Sequence, residues 1–518
     1  MANIRILWTD DEIDLLKPHI IFLEHKGYEV HTTTNGQDAV EKVKDEYFDI
    51  IFLDENMPGL SGLEALMQIK SIKPNIPVVM ITKSEEEDIM DEAIGSKMAD
   101  YLIKPVNPKQ ILLSIKKNVE QKRLISQQTT SAYQSEFGRI GMQINDSFTH
   151  EEWKEVYRKL IYWELELTAS DNSALDEILK MQKSEANQAF GRFIQRNYSD
   201  WFGKKSNEKP LFSPDIFRKK VFPLLDQGKK VVVILIDNLR FDQWRIISPF
   251  FDEYFVTCEE DLFFSILPTA TMYARNAIFA GLMPSEIERL FPSYWINDDE
   301  EGNKNQFEQE LFETQLQRLG RKEKFYFEKN TGTKSGKRTS ESLAMINSAQ
   351  LSILVYNFID MISHARTEME MIRELASDES AYRSITLSWF KHSPLFELLK
   401  ELSSQKLSIV LLTDHGTIKV SNPVKIIGDR NTNTNLRYKV GKNLNYNSKQ
   451  IFEVSHPKQI YLPSPNVSSS YVFALNEDFF AYPNNYNYYA NYYRNTFQHG
   501  GISMEEMMVP VVTLRSKE

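Results

Sequence analysis

A single cysteine, Cys258, in 518 residues excludes an internal disulfide and any thiolate-bound metal cluster. As a lone thiol it reads as a small buried apolar residue. The chain also lacks an excess of positive charge. Its 61 Lys and Arg stand against 72 Asp and Glu, a net charge of −11, which argues against a protein that coats nucleic acid or anionic membrane. No apolar run approaches the roughly 18 residues of a membrane span, and the first residues reach Asp10 and Asp11 without a basic-then-apolar leader pattern. These absences point to a soluble, cytoplasmic protein with no membrane partner. What is present is 42% apolar residues, enough to build cores, over a length that suggests about three domains.

Residues 1–120 repeat short apolar stretches, IRILWT, YEVHTT, DIIFLD, PVVMIT and ADYLIK, each followed by a segment of helical length such as DLLKPHIIFLEHKG or GLEALMQIKSI. Five strands alternating with helices imply an open, doubly wound parallel sheet whose binding crevice lies at the carboxyl ends of the strands. There stand Asp10 and Asp11 after the first strand, Asp54 after the third, Thr82 after the fourth and Lys104 after the fifth. Three carboxylates at one point need a hard cation with oxygen ligands, and magnesium fits.

This segment resembles the receiver domain of bacterial response regulators. The resemblance implies that Asp54 accepts phosphate from a sensor histidine kinase. It implies that Asp10, Asp11, Asp54 and the main-chain carbonyl of Asn56 serve Mg2+, and that Thr82 and Lys104 grip the phosphate. Tyr101 would move with the switch, and phosphorylation would favour a homodimer.

From 121 to 205 the pattern turns helical. PKQILLSIKKNVEQKRLI continues the last receiver helix, THEEWKEVYRKLIYWELEL and LDEILKMQKSEANQAFGRFIQRNYSDWF space apolar residues at three and four, and the polar stretch SQQTTSAYQSEFGRIG is expected to carry a hinge. Between His150 and Asp200, seven Lys or Arg stand against ten Asp or Glu, a net −3. That is the wrong footprint for gripping phosphates, so no duplex DNA binding is expected and the Trp and Tyr positions read as core.

Residues 206–518 again alternate strands and helices, and the apolar runs KVVVILID, LSILVYNFID and LSIVLLTDHG each end in candidate metal ligands. In chain order these are Asp237, Thr271, Asp360, His364, Asp414, His415 and His499. Asp360 and His364, four apart, share a helical face and can reach one ion. A mixed Asp and His set suits zinc better than magnesium or calcium.

The ordered set, opened by IDNLRFD, resembles the alkaline phosphatase superfamily and its PglZ subgroup. The resemblance implies two Zn2+, one on Asp237, Asp414 and His415 with Thr271, the other on Asp360, His364 and His499. Thr271 would attack phosphorus in line, giving a phosphothreonine that hydroxide then hydrolyses. For Arg275 and Arg240 two readings stay open, a contact to a phosphate oxygen or a surface ion pair. Threonine in place of serine is similar to the nucleotide pyrophosphatase/phosphodiesterase branch, which points to a nucleotide or short oligonucleotide phosphodiester as substrate.

Other features carry less. TGTKSGKRT at 331–339 fails the phosphate-loop pattern and reads as an exposed loop. NDDEE at 297–301 reads as a solvated loop. The tyrosine-rich stretch before His499 is open to packing or to base stacking. The expected architecture is α/β throughout: a doubly wound five-stranded receiver (1–120), a small helical bundle (121–205) and a large alkaline-phosphatase-like α/β domain (206–518). That order resembles response regulators associated with type IX protein secretion, with a hydrolase as output. The alternative is a phosphorylation-controlled scaffold that binds a transcription factor or secretion component, with phosphatase, sulfatase-type or no hydrolysis.

Overall fold

The computed structural model describes residues 4–74, 76–83, 98–147, 149–169, 173–203, 209–298, 300–330, 338–368, 378–428, 432–464, 466 and 468–517. Residues 1–135 with 169–172 form one compact unit, and 136–168 with 173–518 form the other. Among the described residues no helix is long and apolar enough to cross a membrane.

The first unit holds the expected parallel sheet. Its strands are β1 (Arg5–Thr9), β2 (Glu29–Thr33), β3 (Ile50–Asp54), β4 (Val78–Thr82) and β5 (Asp100–Ile103), in the order β2-β1-β3-β4-β5. Side chains alternate across it. Leu7, Ile51, Leu53 and Val78 pack with Ala39, Val43, Leu66 and Ile69 on one face. Ile6, Trp8, Phe52, Val79 and Ile81 pack with Leu23, Ile111 and Ile115 on the other. Because both faces are covered, β3 and β4 are buried along their length, and this is why they read as unbroken apolar runs.

The helices α1 (Lys17–His25), α2 (Gly36–Asp45), α3 (Gly62–Ile72) and α4 (Pro108–Ile115) flank the sheet. Helix α1 starts later than its apolar pattern, because Ile13–Leu16 forms a 3-10 turn and Pro18 occupies the first turn of the helix.

The expected hinge is corrected. SQQTTSAYQSEFGRIG lies within one helix, α5 (Gln121–Asp146). It has no proline, its two glycines cost about 1 kcal/mol each, and Ile140 and Ile144, four apart, are buried on one face. Polar residues without proline are compatible with a helix that keeps one buried face.

The second unit is built on a six-stranded sheet. Its strands are β6 (Val231–Ile236), β7 (Phe255–Phe264), β8 (Phe325–Asn330), β9 (Leu351–Tyr356), β10 (Ser408–Leu412) and the closing strand Met508–Ser516. The closing strand lies between β7 and β10, with β6, β9 and β8 following. Strand β6, VVVILI, has parallel neighbours on both sides, β10 and β9, and all six residues are buried. Cys258 corrects the sequence expectation: it is exposed, because β7 is the edge strand and its first half runs largely in solvent.

Helices α6 (His150–Ala169) and α7 (Ser173–Asn197) pack into this unit. Trp153 meets Phe190 at 5.4 Å between ring centroids, and Phe190 meets Phe264 of β7 at 6.1 Å. Trp153, Tyr157 and Trp163 are buried as expected, while Tyr162 is exposed.

Candidate functional sites

In the first unit Asp10, Asp11 and Asp54 converge at the carboxyl ends of β1 and β3, where the strand order reverses. Lys104, just past β5, reaches both inner carboxylates, at 2.9 Å from Asp10 Oδ2 and 2.7 Å from Asp54 Oδ1. Burial pushes the Asp54 carboxyl up, Lys104 opposes the rise and Asp10 adds to it. For Lys104 burial acts downward, but Asp54 and Asp10 outweigh it and hold the ammonium above its usual range.

Thr82 ends β4 and is buried, Tyr101 of β5 is exposed, and Asn56 is exposed just after β3. A Cβ on Gly62 would overlap the Asp54 carbonyl oxygen, so only glycine lets α3 start this close to the acid. An all-oxygen carboxylate set with one neighbouring lysine fits magnesium.

In the second unit six of the candidate ligands form two groups, Asp237 with Asp414 and His415, and Asp360 with His364 and His499. Asp237 follows β6 directly and Asp414 follows β10, so the parallel pairing of these strands brings the two carboxylates together. His415 Nδ1 donates to the Gly416 carbonyl at 3.1 Å, which leaves the Nε2 lone pair facing inward. That Nε2 lies 3.0 Å from Thr271 Oγ1, 3.7 Å from Asp414 Oδ2 and 3.9 Å from Asp237 Oδ1. Thr271 is the first residue of helix α8 (Thr271–Ala280).

The second group comes from helix α9 (Phe358–Glu368) and from His499, next to the short strand Phe497–Gln498. Asp360 Oδ2 is 3.5 Å from His364 Nε2, and Asp360 Oδ1 is 3.8 Å from His499 Nε2. His499 repeats the arrangement of His415: its Nδ1 donates to the Thr269 carbonyl at 3.2 Å, leaving Nε2 toward the carboxylate. Burial, then the neighbouring His415 and His364 rings, hold His499 well below the usual histidine range, which favours the neutral form that metal binding requires. The two groups adjoin, with the His415 and His499 rings stacked at 4.3 Å.

Burial drives the Asp237 carboxyl well up, with Arg275 pulling against it and Asp414 adding to the rise. Asp414 goes the other way: burial opposes ionisation, but Arg275 and His415 outweigh it. Asp237 Oδ1 is buried and has no hydrogen-bond partner among the described residues. Two histidines of fixed tautomer and an unsatisfied carboxylate oxygen, in groups of mixed Asp and His, fit zinc.

Both arginines correct the surface-pair reading. Arg275 is fully buried and engages Asp237, Asp414 and Glu308 together, with Nε 2.9 Å from Asp414 Oδ2. Arg240 is buried against Asp242 and Glu379. Asp298 is also not simply solvated, since it accepts the Tyr273 hydroxyl at 2.7 Å and the Tyr438 hydroxyl at 3.1 Å.

Asn305 was not singled out from sequence, yet its side-chain amide donates to the Thr271 carbonyl at 3.0 Å. The tyrosine-rich stretch forms helix Tyr486–Tyr493, with Tyr493 packed against the cluster of Ile418, Val420 and Phe479 and with Tyr488 and Tyr489 exposed. Residues 331–337 of the phosphate-loop-like stretch lie outside the described residues.

Comparison with known proteins divides the chain in three. A family model described as the BREX system PglZ alkaline phosphatase-like domain matches residues 216–514. The PorX response regulator linker domain matches 123–202, and the response regulator receiver domain matches 6–116.

The transcriptional regulatory protein ZraR of Klebsiella oxytoca is 33% identical over 139 residues, 27% of this chain and 31% of that protein. The alkaline phosphatase synthesis transcriptional regulatory protein PhoP of Bacillus subtilis is 34% identical over 116 residues, 22% of this chain and 48% of that one. The chain thus spans a third to a half of the length of these curated relatives. Among solved structures, a CheY-like receiver domain protein from Methanospirillum hungatei JF-1 matches at 27% identity and a TM-score of 0.23, covering 23% of this chain and 96% of that one.

Proposed function

The chain belongs to the PglZ alkaline phosphatase-like family and carries a response regulator receiver domain, and from that premise we propose that it is a phosphorylation-controlled, zinc-dependent phosphodiesterase. The observation that carries this reading is Thr271. Its hydroxyl lies 3.0 Å from His415 Nε2, beside the first group and at the start of a helix, whose N-terminal dipole favours a phosphoryl anion.

Two zinc ions on the two groups would lower the pKa of the attacking hydroxyl and neutralise charge developing on phosphorus. Thr271 Oγ1 forms the new bond to phosphorus as the bond to the departing alkoxide breaks, and the threonyl proton passes through solvent to that departing oxygen. Water then cleaves the threonyl ester, returning Thr271 and releasing a phosphomonoester. Asn305 holds the Thr271 main chain.

The arginines favour a diester. A monoester dianion brings one more negative charge to the site, yet Arg275 is engaged by three carboxylates and Arg240 by two. The substrate class we propose is a nucleotide or short oligonucleotide phosphodiester.

Upstream, Asp54 takes the phosphoryl group from a sensor histidine kinase, and Asp10, Asp11, Asp54 and the Asn56 carbonyl would hold a Mg2+ that supplies positive charge there. Thr82 and Lys104 bind the phosphoryl oxygens, and Tyr101 moves with the switch. Phosphorylation promotes a homodimer, which light scattering with and without a phosphoryl mimic would detect as a change in mass. A role in type IX protein secretion rests on the order of receiver, linker and PglZ domain.

The enzymatic reading is tested by hydrolysis of a chromogenic phosphodiester and its matching monoester by zinc-loaded protein, with Thr271→Ala as the blank. Faster diester cleavage, lost in the blank, is the expected result. Monoester preference or undiminished activity in the blank would sink the proposal.

A further inference from the structure

Asn238 stands between the two ligand groups and belongs to neither. It follows Asp237 directly, is fully buried and has a φ of +63°, a left-handed conformation that asparagine tolerates better than most side chains. Its main-chain N–H donates to Asp414 Oδ1 at 3.2 Å, in the first group. Its side-chain Nδ2 donates to Asp360 Oδ1 at 3.2 Å, in the second, and reaches Ser363 Oγ at 3.3 Å. Ser363 Oγ in turn donates to the Asp360 carbonyl at 2.9 Å.

The left-handed turn lets one residue serve both groups. Asp360 is thereby oriented, with Oδ1 on the amide and Oδ2 facing His364 Nε2 at 3.5 Å.

An uncharged amide is the chemistry this position needs. A lysine or arginine here would neutralise the carboxylate and compete with an ion for it. A carboxylate would repel Asp360, and an apolar side chain would leave it free to rotate. Groups that hydrogen-bond to metal ligands set their orientation, and their loss commonly costs roughly 10–100-fold in metal affinity.

On the two-ion reading given above, we propose that Asn238 is a positioning residue for the second ion site. Its side chain orients Asp360, while its main chain ties that site to the first. The side chain then governs affinity at the second site and leaves the first unchanged.

The test is a Zn2+ titration of the full chain against a competing chromogenic chelator, resolving two binding steps. Asp360→Ala identifies the step that belongs to the second site. Asn238→Gly keeps the left-handed backbone and the N–H on Asp414 and deletes only the amide side chain. It is expected to weaken the second-site step roughly 10–100-fold and to leave the other step within about twofold. Combined with Asp360→Ala, it should add nothing.

If Asn238→Gly fails to fold, Ser363→Ala, which removes the hydroxyl sharing the Asn238 amide, carries the same test, with weakening confined to the second-site step. Equal weakening of both steps, or no change in either, overturns the inference alone. Wild-type protein that binds fewer than two ions overturns the two-ion reading and this inference with it.

Discussion

The Arg383 guanidinium lies 2.7 Å from Glu164 Oε1, so a carboxylate of the helical stretch is anchored inside the large domain. The network extends from there. Arg383, on helix Glu379–His392, also pairs with Asp242 at 3.2 Å, and Glu164 Oε2 takes Lys183 of α7 at 2.6 Å. Breaking one partner of such a buried network leaves the others uncompensated and costs roughly 3–5 kcal/mol. Arg383→Met should therefore lower the urea midpoint of the large domain clearly, and an unchanged midpoint would mean that the network contributes little.

The same network sets an acid dependence. Burial opposes ionisation of Glu164, but Lys183 and Arg383 outweigh it and hold its carboxyl below the usual range. A depressed folded-state pKa contributes stability above the ordinary glutamate value of about 4.5, and that contribution is lost as pH falls below it. Urea midpoints at pH 7 and pH 4 should differ less for Glu164→Gln than for the wild type. An equal difference in the two proteins would remove Glu164 from the acid response.

In the receiver, Lys104 is the cation that offsets Asp10 and Asp54. Lys104→Met should lower the thermal transition of the receiver without magnesium, and added Mg2+ should recover more of it than in the wild type. Equal Mg2+ stabilisation of both would contradict the assignment of the carboxylates to one ion. Asp54→Asn should take up no phosphoryl group from a small-molecule phosphodonor, read by intact mass. Uptake by that variant would place the phosphorylation elsewhere.

Gly416 supports the first ligand group from behind. A Cβ there would overlap the Glu505 carbonyl oxygen, and the neighbouring His415 hangs its Nδ1–H on the Gly416 carbonyl. Gly416→Ala should displace that imidazole and weaken zinc binding roughly 10–100-fold, read by competition with a chelator. Wild-type affinity would show that the close approach is not needed.

What the sequence makes legible is where an apolar strand stops. In DIIFLD and KVVVILID a buried run ends in an acid, and the parallel register then gathers the acids of different strands at one edge of the sheet. What it hides depends on contacts between distant residues. That Arg275 spends its charge on Asp237, Asp414 and Glu308 follows from helix α8 packing at the strand ends, which no local pattern announces.

The left-handed backbone at Asn238 had only a weak local signal, an asparagine directly after a strand-end acid. Exposure of Cys258 follows from β7 being an edge strand, a property of sheet order and not of the residues around it. The helix runs through 126–141, where the polar composition points to a hinge, because the stretch has no proline to stop it.

The most direct test of covalent catalysis by Thr271 is the stereochemical course of hydrolysis at phosphorus, followed with a chiral phosphorothioate diester. Attack by Thr271 followed by attack of water inverts configuration twice, so the account predicts net retention. Net inversion would mean that water attacks the diester directly and would contradict it.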